Sequence, residues 1–225
     1  PTAGPALTYP TPPQRSFFLP GQSPAADARR RFCEDLLDVM ALGIGDYFQK
    51  TGAFRHIGVA LSGGRDSLLC LILAHRFAMS TLPPESDDAA RRARAAELLR
   101  AFYMPTRYSS SATLRDAEAA AADLGVPLVV LPIEDAFERG AEAARRMLQP
   151  GEQLTRITIQ NIQSRLRAQR MWNWSNAVGG LFLQTGNMSE KAVGYTTVGG
   201  DLMGALAPIA NLPKTVVNYV LDYLL

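Results

Sequence analysis

The segment Ser62–Ser67, which reads SGGRDS, constrains this chain more than any other feature. It follows the apolar, strand-like run Ile57–Leu61 and precedes a stretch in which apolar residues recur at helical spacing. Two glycines allow a tight turn that brings backbone N–H groups against an anion, and a helix start adds its positive dipole end. The hydroxyls of Ser62 and Ser67 can donate to phosphate oxygens, and Asp66 can hold a hard cation such as Mg²⁺. The segment therefore predicts a strand–loop–helix phosphate site.

This loop is not a Walker A loop, because G-x-x-x-x-G-K-[ST] occurs nowhere in the chain. It resembles the SGGxDS pyrophosphate loop of the N-type ATP pyrophosphatases, which split ATP between its α and β phosphates. The alternative is a glycine-rich turn of no special function. Six matched positions in a strand–loop–helix context argue against that alternative.

Strand-like and helix-like segments alternate along the whole chain. Predicted strands are Ile57–Leu61, Ala101–Met104, Leu128–Leu131 and Leu181–Gln184, the third being apolar throughout, as strands buried on both faces are. Predicted helices cover about 25–50, 65–77, 87–100, 112–124, 134–148 and 159–177. This order predicts an α/β fold with a doubly wound parallel sheet and helices on both faces. Ligands of such sheets bind at the carboxyl ends of the strands, where the informative motifs fall.

Composition limits the classes of binding partner and the domain organisation that the chain can have. The chain has 225 residues, 23 basic and 21 acidic, a balance that gives no electrostatic footprint for bulk nucleic acid. No apolar run has the length of a transmembrane helix, and Cys33 and Cys70 suit buried free thiols in a reducing cytoplasm. We expect a proline-rich linker or arm over 1–24 and one domain over 25–225. The native polypeptide is expected to continue beyond both ends.

A second segment, Thr185–Glu190 (TGNMSE), is followed by Val193–Tyr195 and Gly199–Asp201. With Gln160–Arg167 upstream and Leu212–Thr215 downstream, the set resembles NAD synthetase from about Ile57 to the end of the chain. That family, whose fold is adenine nucleotide alpha hydrolase-like, is a carbon–nitrogen ligase of NAD biosynthesis. It amidates nicotinic acid adenine dinucleotide (deamido-NAD) with ATP and ammonia, through an acyl-adenylate, and releases AMP and pyrophosphate.

The resemblance implies roles for individual residues. Asp66 and Glu190 are expected to bind Mg²⁺ and, with Lys214, to be catalytic. The residues expected to bind ATP are Ala60, Leu61, Ser62, Gly63, Gly64, Arg65, Asp66, Ser67, Arg107, Thr185 and Lys214. Those expected to bind deamido-NAD are Asn161, Arg165, Glu190 and Asp201.

Each of these side chains has a plainer alternative. Glu190 could cap or solvate a helix start, Asp201 could be a turn residue, and Lys214 could be an ordinary surface lysine. A solvated helix face could account for the arginines at 165, 167 and 170. For the chain as a whole, the alternatives are another SGGxDS pyrophosphatase, such as a tRNA-modifying or other amide-forming enzyme, and a non-catalytic nucleotide-binding relative.

Two departures bear on the branch of the family. Met188 stands where the family often has lysine, and Val198 stands where ammonia-dependent members have one. The run Asp201–Pro208 and the proline-rich start are closer to the glutamine-dependent branch, which implies an upstream glutaminase domain. The glutaminase's catalytic set is absent here, so this chain alone is expected to use free ammonia. The resemblance also implies a cytoplasmic homodimer or larger homo-oligomer that binds neither nucleic acid nor membrane.

Overall fold

Four parallel strands form one sheet: β1 (His56–Ala60), β2 (Leu99–Tyr103), β3 (Leu128–Val130) and β4 (Gly180–Leu183), in the spatial order β3-β2-β1-β4. The structure, a computed structural model, describes residues 26–224. Within this part of the chain the helices are α1 (Ala26–Thr51), α2 (Arg65–Ser80), α3 (Asp88–Leu98), α4 (Ser111–Asp123), α5 (Glu134–Arg145), α6 (Arg156–Val178), α7 (Met188–Val193) and α8 (Lys214–Leu224). The predicted α/β fold with a parallel sheet is confirmed. The linker expected over 1–24 lies outside the described residues.

Alternate side chains of the strands face opposite layers of the core, as the two-residue period of a strand requires. One layer takes Ile57, Val59, Leu99, Ala101, Leu181 and Leu183 and packs them against α1, α2 and α8 residues. The other takes Phe102 and Phe182 and packs them against Ile133 and Met171. None of the helices described is long and apolar enough to cross a membrane.

Helix α6 lies close against the second layer because two glycines of the sheet make room for Trp174. A Cβ at Gly58 or at Gly180 would clash with the Trp174 ring, which also packs edge-on to Phe102 with ring centroids 5.1 Å apart. Since α6 leads through Gly179 into β4, its first half lies over the carboxyl ends of the strands. The packing of Trp174 thereby positions the polar residues 160–167 at the edge where a ligand would bind.

Two details of the predicted strands are wrong. The Arg/Ala/Glu run predicted that the helix continues through Leu99 and Arg100, but both residues belong to β2. Pairing with β1 favours the strand, because Leu99 pairs with Ile57 and is 1% exposed. The third strand was expected to be buried on both faces. Instead β3 is a three-residue edge strand paired with β2 alone, and Val129 and Val130 are each 43% exposed.

Both cysteines are free and buried, as their apolar helical context predicts. Burial raises the pKa of the Cys70 thiol, and also that of Cys33. Both groups are therefore packing residues of the core and not reactive thiols.

Candidate functional site

The phosphate loop, defined as residues 62–67, joins β1 to α2 in a turn that only glycine can make at its second position. Gly63 has φ of 76°, in the left-handed region, and a Cβ there would clash with the backbone carbonyl of Thr113. Gly64 then caps α2. The predicted strand–loop–helix arrangement is confirmed, and the free N–H groups of the first helical turn face the end of the sheet.

Two serine hydroxyls close this loop on itself. Ser62 Oγ and Ser67 Oγ lie 3.0 Å apart. Ser67 Oγ donates to the Gly64 carbonyl at 3.0 Å, and the Gly64 N–H donates to Ser62 Oγ at 3.2 Å. Both hydroxyls are thus held in place at the mouth of the loop, where either could turn to donate to an anion.

Asp66, in the first turn of α2, is the point at which three distant segments meet. Its carboxylate pairs with the ammonium group of Lys214, at the start of α8, and Oδ1 accepts a hydrogen bond from Asn187 Nδ2 at 3.1 Å. The Asp66 side chain is 18% exposed, and Asn187 is fully buried. Asp66 is therefore held by a cation and an amide from segments more than a hundred residues away in sequence.

Glu190 has the capping role that the plainer alternative proposed, and it also lines the cleft. Asn187 Oδ1 accepts from the Glu190 N–H at 3.0 Å, and a Glu190 carboxylate oxygen accepts from the Asn187 N–H at 3.2 Å, a complete capping box. Burial raises the pKa of Glu190, and the negative charge of Asp66 raises it further. The Asp66 carboxylate is thus close enough for its charge to act on Glu190.

Asp66 and Glu190 open onto a cleft at the carboxyl ends of β1 and β4, with a volume of about 570 Å³. We call it the main cleft. Among the residues predicted to bind ligands, it is lined by Ala60, Ser62, Asp66, Ser67, Asn161, Thr185, Glu190 and Asp201. Side chains from four separate sequence motifs therefore meet in one concave site, which is the usual place for a ligand in an open α/β sheet.

The far wall of the main cleft is a segment held by α6, which we call the clamped loop (residues 194–204). Thr197 Oγ1 donates to Asn161 Oδ1 at 2.8 Å, and the Asp201 N–H donates to Ser164 Oγ at 2.9 Å. The Asp201 carboxylate accepts from the Thr197 N–H. Asn161 and Asp201 thus line the cleft while holding its wall, and Asp201 is more than a turn residue.

Arg165 is placed differently from Asn161. Its Nε donates to the Val198 carbonyl at 3.0 Å, and the side chain is exposed outside the lining of the main cleft. Here the guanidinium fastens the clamped loop. Its predicted contact with deamido-NAD stays a prediction.

The other residues predicted to bind ATP are not among those that line the main cleft; they are Leu61, Gly63, Gly64, Arg65, Arg107 and Lys214. Leu61 is buried in the core, and Arg65 pairs with Asp222 on α8 at 3.0 Å. Arg107 is exposed and its guanidinium pairs with Glu134 and Glu138 at the start of α5. ATP contacts by these side chains stay predictions.

A second cavity of about 300 Å³ lies beside the main cleft, between the ends of β1 and β2. We call it the side cavity. Ala60, Ser62 and Arg167 line both. The prediction missed Arg167 and Ser164 as site residues. The helical spacing of Gln160, Ser164 and Arg167, which puts them on one face of α6, was the signal that could have found them.

The comparisons with known proteins agree with this geometry. The NAD synthase family matches residues 36–225. The chain belongs to the NAD synthase family. The resemblance read from the sequence is thereby confirmed.

Two curated relatives of the chain are named glutamine-dependent NAD(+) synthetases. The glutamine-dependent NAD(+) synthetase of Xanthomonas campestris is 40% identical over 173 residues, which is 77% of this chain and 28% of that protein. That of Thermotoga maritima is 33% identical over 182 residues, 81% of this chain and 28% of that protein. The chain thus spans less than a third of the length of these relatives.

Solved structures show the same NAD synthase fold. A glutamine-dependent NAD(+) synthetase from Cytophaga hutchinsonii superposes with a TM-score of 0.77 at 27% identity, over 85% of this chain and 37% of that one. The enzyme from Acinetobacter baumannii in complex with ADP gives 0.73 at 28% identity, over 85% and 32%. The NH3-dependent NAD synthetase from Campylobacter jejuni gives 0.67 at 25% identity, over 87% and 73%.

Proposed function

We propose that this chain is the ATP-dependent, amide-forming unit of a NAD synthetase, which converts deamido-NAD to NAD with release of AMP and pyrophosphate. The observation that carries the proposal is the meeting of Asp66 and Glu190 with the phosphate loop in one cleft at the end of the sheet. Membership of the NAD synthase family supplies the reaction class. Neither carboxylate is replaced, which argues against a relative that only binds nucleotide.

The reaction needs an activated carboxyl group, because O⁻ is a poor leaving group when ammonia attacks a carboxylate. A nicotinate carboxylate oxygen attacks the α-phosphorus, so that an O–P bond forms and pyrophosphate leaves with the electrons of the broken P–O bond. Ammonia nitrogen then attacks the carbonyl carbon. The C–N bond forms, the C–O bond to AMP breaks, and the nitrogen loses a proton.

This chain's side chains provide orientation and charge for these steps. The phosphate loop cradles the leaving pyrophosphate through its backbone N–H groups and the hydroxyls of Ser62 and Ser67. Thr185, which follows the neighbouring strand β4 and lines the same cleft, contacts ATP. Lys214, already beside Asp66, stabilises negative charge that grows on the departing phosphates.

The donor set fits Mg²⁺, which is proposed to be held by Asp66 and Glu190. No cluster of three or more His, Cys, Asp or Glu in residues 26–224 is placed to hold a metal ion. Two carboxylates completed by substrate phosphates is the arrangement that Mg²⁺ uses in nucleotide sites. Burial and, to a smaller extent, the negative charge of Asp66 raise the pKa of Glu190, which supports a cation held between the two carboxylates. When bound, the ion supplies charge neutralisation of the polyphosphate.

The partners belong to the same proposal. Free ammonia is the nitrogen source for this chain alone, and an upstream glutaminase domain would supply ammonia in a longer protein. Relatives named as glutamine-dependent support that arrangement. A homo-oligomer and a cytoplasmic location, implied by the family, are proposed with it.

Product analysis tests the proposal. Purified chain with Mg-ATP, deamido-NAD and ammonium chloride is expected to form NAD and AMP in equal amounts, measured by mass spectrometry. Asp66→Asn is expected to lower the rate by about a thousandfold, because a preorganised charge at the phosphates is lost. Asp123→Asn, which removes an exposed carboxylate at the end of α4, serves as the matched control and should retain the rate. ADP in place of AMP would contradict the proposed reaction, and full activity of Asp66→Asn would contradict the role of Asp66.

A further inference from the structure

Arg167 occupies the boundary between the two cavities. It projects from the first half of α6, which lies over the carboxyl ends of the strands, and it lines both the main cleft and the side cavity. The other residues shared by the two cavities are Ala60 and Ser62, at the end of β1 and the start of the phosphate loop. A ligand that extends from one cavity into the other must therefore pass between Arg167 and the phosphate loop.

The charge of this lining is uneven. Carboxylates at 66, 190 and 201 line the main cleft, and among the described residues that line either cavity Arg167 is the one cation. Lys214 is engaged by Asp66, and Arg165 by the Val198 carbonyl. Arg167 is consequently the cationic side chain that a polyphosphate would contact along the lining of the two cavities.

The guanidinium of Arg167 is positioned but not neutralised. Its Nε donates to the Met104 carbonyl at 3.0 Å, which fixes the plane of the group. No carboxylate of residues 26–224 forms an ion pair with it, and burial lowers the pKa of Arg167. A half-buried, cationic guanidinium without a counter-ion is stabilised when an anionic ligand accepts hydrogen bonds from its remaining N–H groups.

We propose that Arg167 binds the phosphate that lies between the two cavities, namely the α-phosphate of ATP, and keeps its contact when that phosphate becomes part of the acyl-adenylate. This inference rests on the proposed function. The nucleoside then occupies the side cavity, and the acyl group occupies the main cleft. Arg167 is thus a phosphate-binding residue placed where both substrates of the first step meet.

Binding of AMP and of adenosine to the 225-residue chain, measured by calorimetry, tests the inference without requiring turnover. Wild-type chain is expected to bind AMP more tightly than adenosine. Arg167→Gln is expected to weaken the binding of AMP by about tenfold or more, which is the effect of losing one charge-assisted hydrogen bond. The affinity for adenosine should stay unchanged. Arg167→Lys should retain part of the preference for AMP, since it keeps the charge but loses the planar fork.

Arg170→Gln is the matched control, because Arg170 lies one turn further along α6 and outside the lining of both cavities. It should keep the wild-type preference for AMP. If Arg167→Gln lost affinity for AMP and for adenosine equally, with a lowered melting temperature, the inference would be overturned. Arg167 would then have a structural role, through its hydrogen bond to the Met104 carbonyl. An undiminished preference for AMP in Arg167→Gln would overturn it too. NAD formation by the wild-type chain tests the proposed function separately, so the two can fail independently.

Discussion

The phosphate loop and the clamped loop form opposite walls of one cleft, yet they are held in different ways. The phosphate loop is closed by bonds within its own six residues, between Ser62, Gly64 and Ser67. The clamped loop is held by α6, through residues that lie 33 to 37 positions away in sequence. The backbone turn of the phosphate loop is thus formed by local bonds and by the close approach of Gly63 to Thr113, whereas the clamped loop depends on how α6 sits on the sheet.

The largest effect that would sharpen this contrast is expected from Gly63→Ala. A side chain at that position meets both the left-handed φ and a clash with Thr113. We expect a loss of about 3 kcal/mol in the free energy of unfolding, from backbone strain and from overpacking together.

Gly52→Ala is the matched control for that measurement. Gly52 also has a positive φ, of 61°, but nothing lies within 4 Å of its absent Cβ. It should lose only the strain component, about 1 kcal/mol. Urea denaturation of both variants decides the matter, and equal losses would contradict a phosphate loop held by close approach to α4.

A smaller effect is expected from Ser164→Ala, which removes the hydroxyl that accepts from the Asp201 N–H. Because the clamped loop shapes the wall of the main cleft, we expect kcat/KM for deamido-NAD to fall by up to about tenfold, the upper end of the cost of one hydrogen bond. The KM for ATP should stay unchanged.

Asn173→Ala is the companion variant, since Asn173 is an exposed residue of the same helix. Its kinetic constants should match the wild type. If Ser164→Ala lowered kcat/KM for ATP as much as kcat/KM for deamido-NAD, the clamped loop would not act separately from the phosphate loop.

The smallest effect concerns the stability of the chain with Glu190→Gln. Because the folded-state pKa of Glu190 is raised, ionisation of this carboxyl disfavours the folded state. Stability contributed by its neutral form is present below the unfolded pKa and is lost as the pH rises through the folded pKa. Glutamine can still accept the capping bond from the Asn187 N–H but carries no charge.

We therefore expect Glu190→Gln to melt a few degrees higher than wild type at pH 7 and at the same temperature at pH 4. Melting curves at both pH values measure this, with Glu118→Gln, which changes an exposed residue of α4, as the control. A variant destabilised at pH 7 would show that the charge of Glu190 supports the fold instead of the chemistry.

The sequence predicted the strand–loop–helix turn over residues 62–67 correctly, because the bonds that close the backbone turn are local. Ser62, Gly63 and Ser67 lie in one short segment between a strand and a helix, so residue types alone specify the turn. The fold class followed in the same way from alternating strands and helices. The first residue of β2 could not be predicted in this way, because the pairing of Leu99 with β1 overrides the helical preference of the preceding run.

Other parts of the site depend on tertiary placement that no local pattern carries. Lys214 reaches Asp66 across 148 residues of sequence. Arg165 and Arg167 differ by two positions on α6, yet one fastens the clamped loop and the other faces both cavities. The packing of Trp174 on Gly58 and Gly180 helps to fix the rotation of α6, and this rotation determines which arginine points inward.

The central claim is that the nicotinate carboxylate attacks the α-phosphorus of ATP within this cleft. Deamido-NAD labelled with ¹⁸O in both carboxylate oxygens tests it most directly, with products analysed by mass spectrometry. One ¹⁸O is expected in the phosphate of AMP and one in the amide of NAD. Label in inorganic phosphate with formation of ADP, or AMP free of label, would contradict an acyl-adenylate and with it the account of the site.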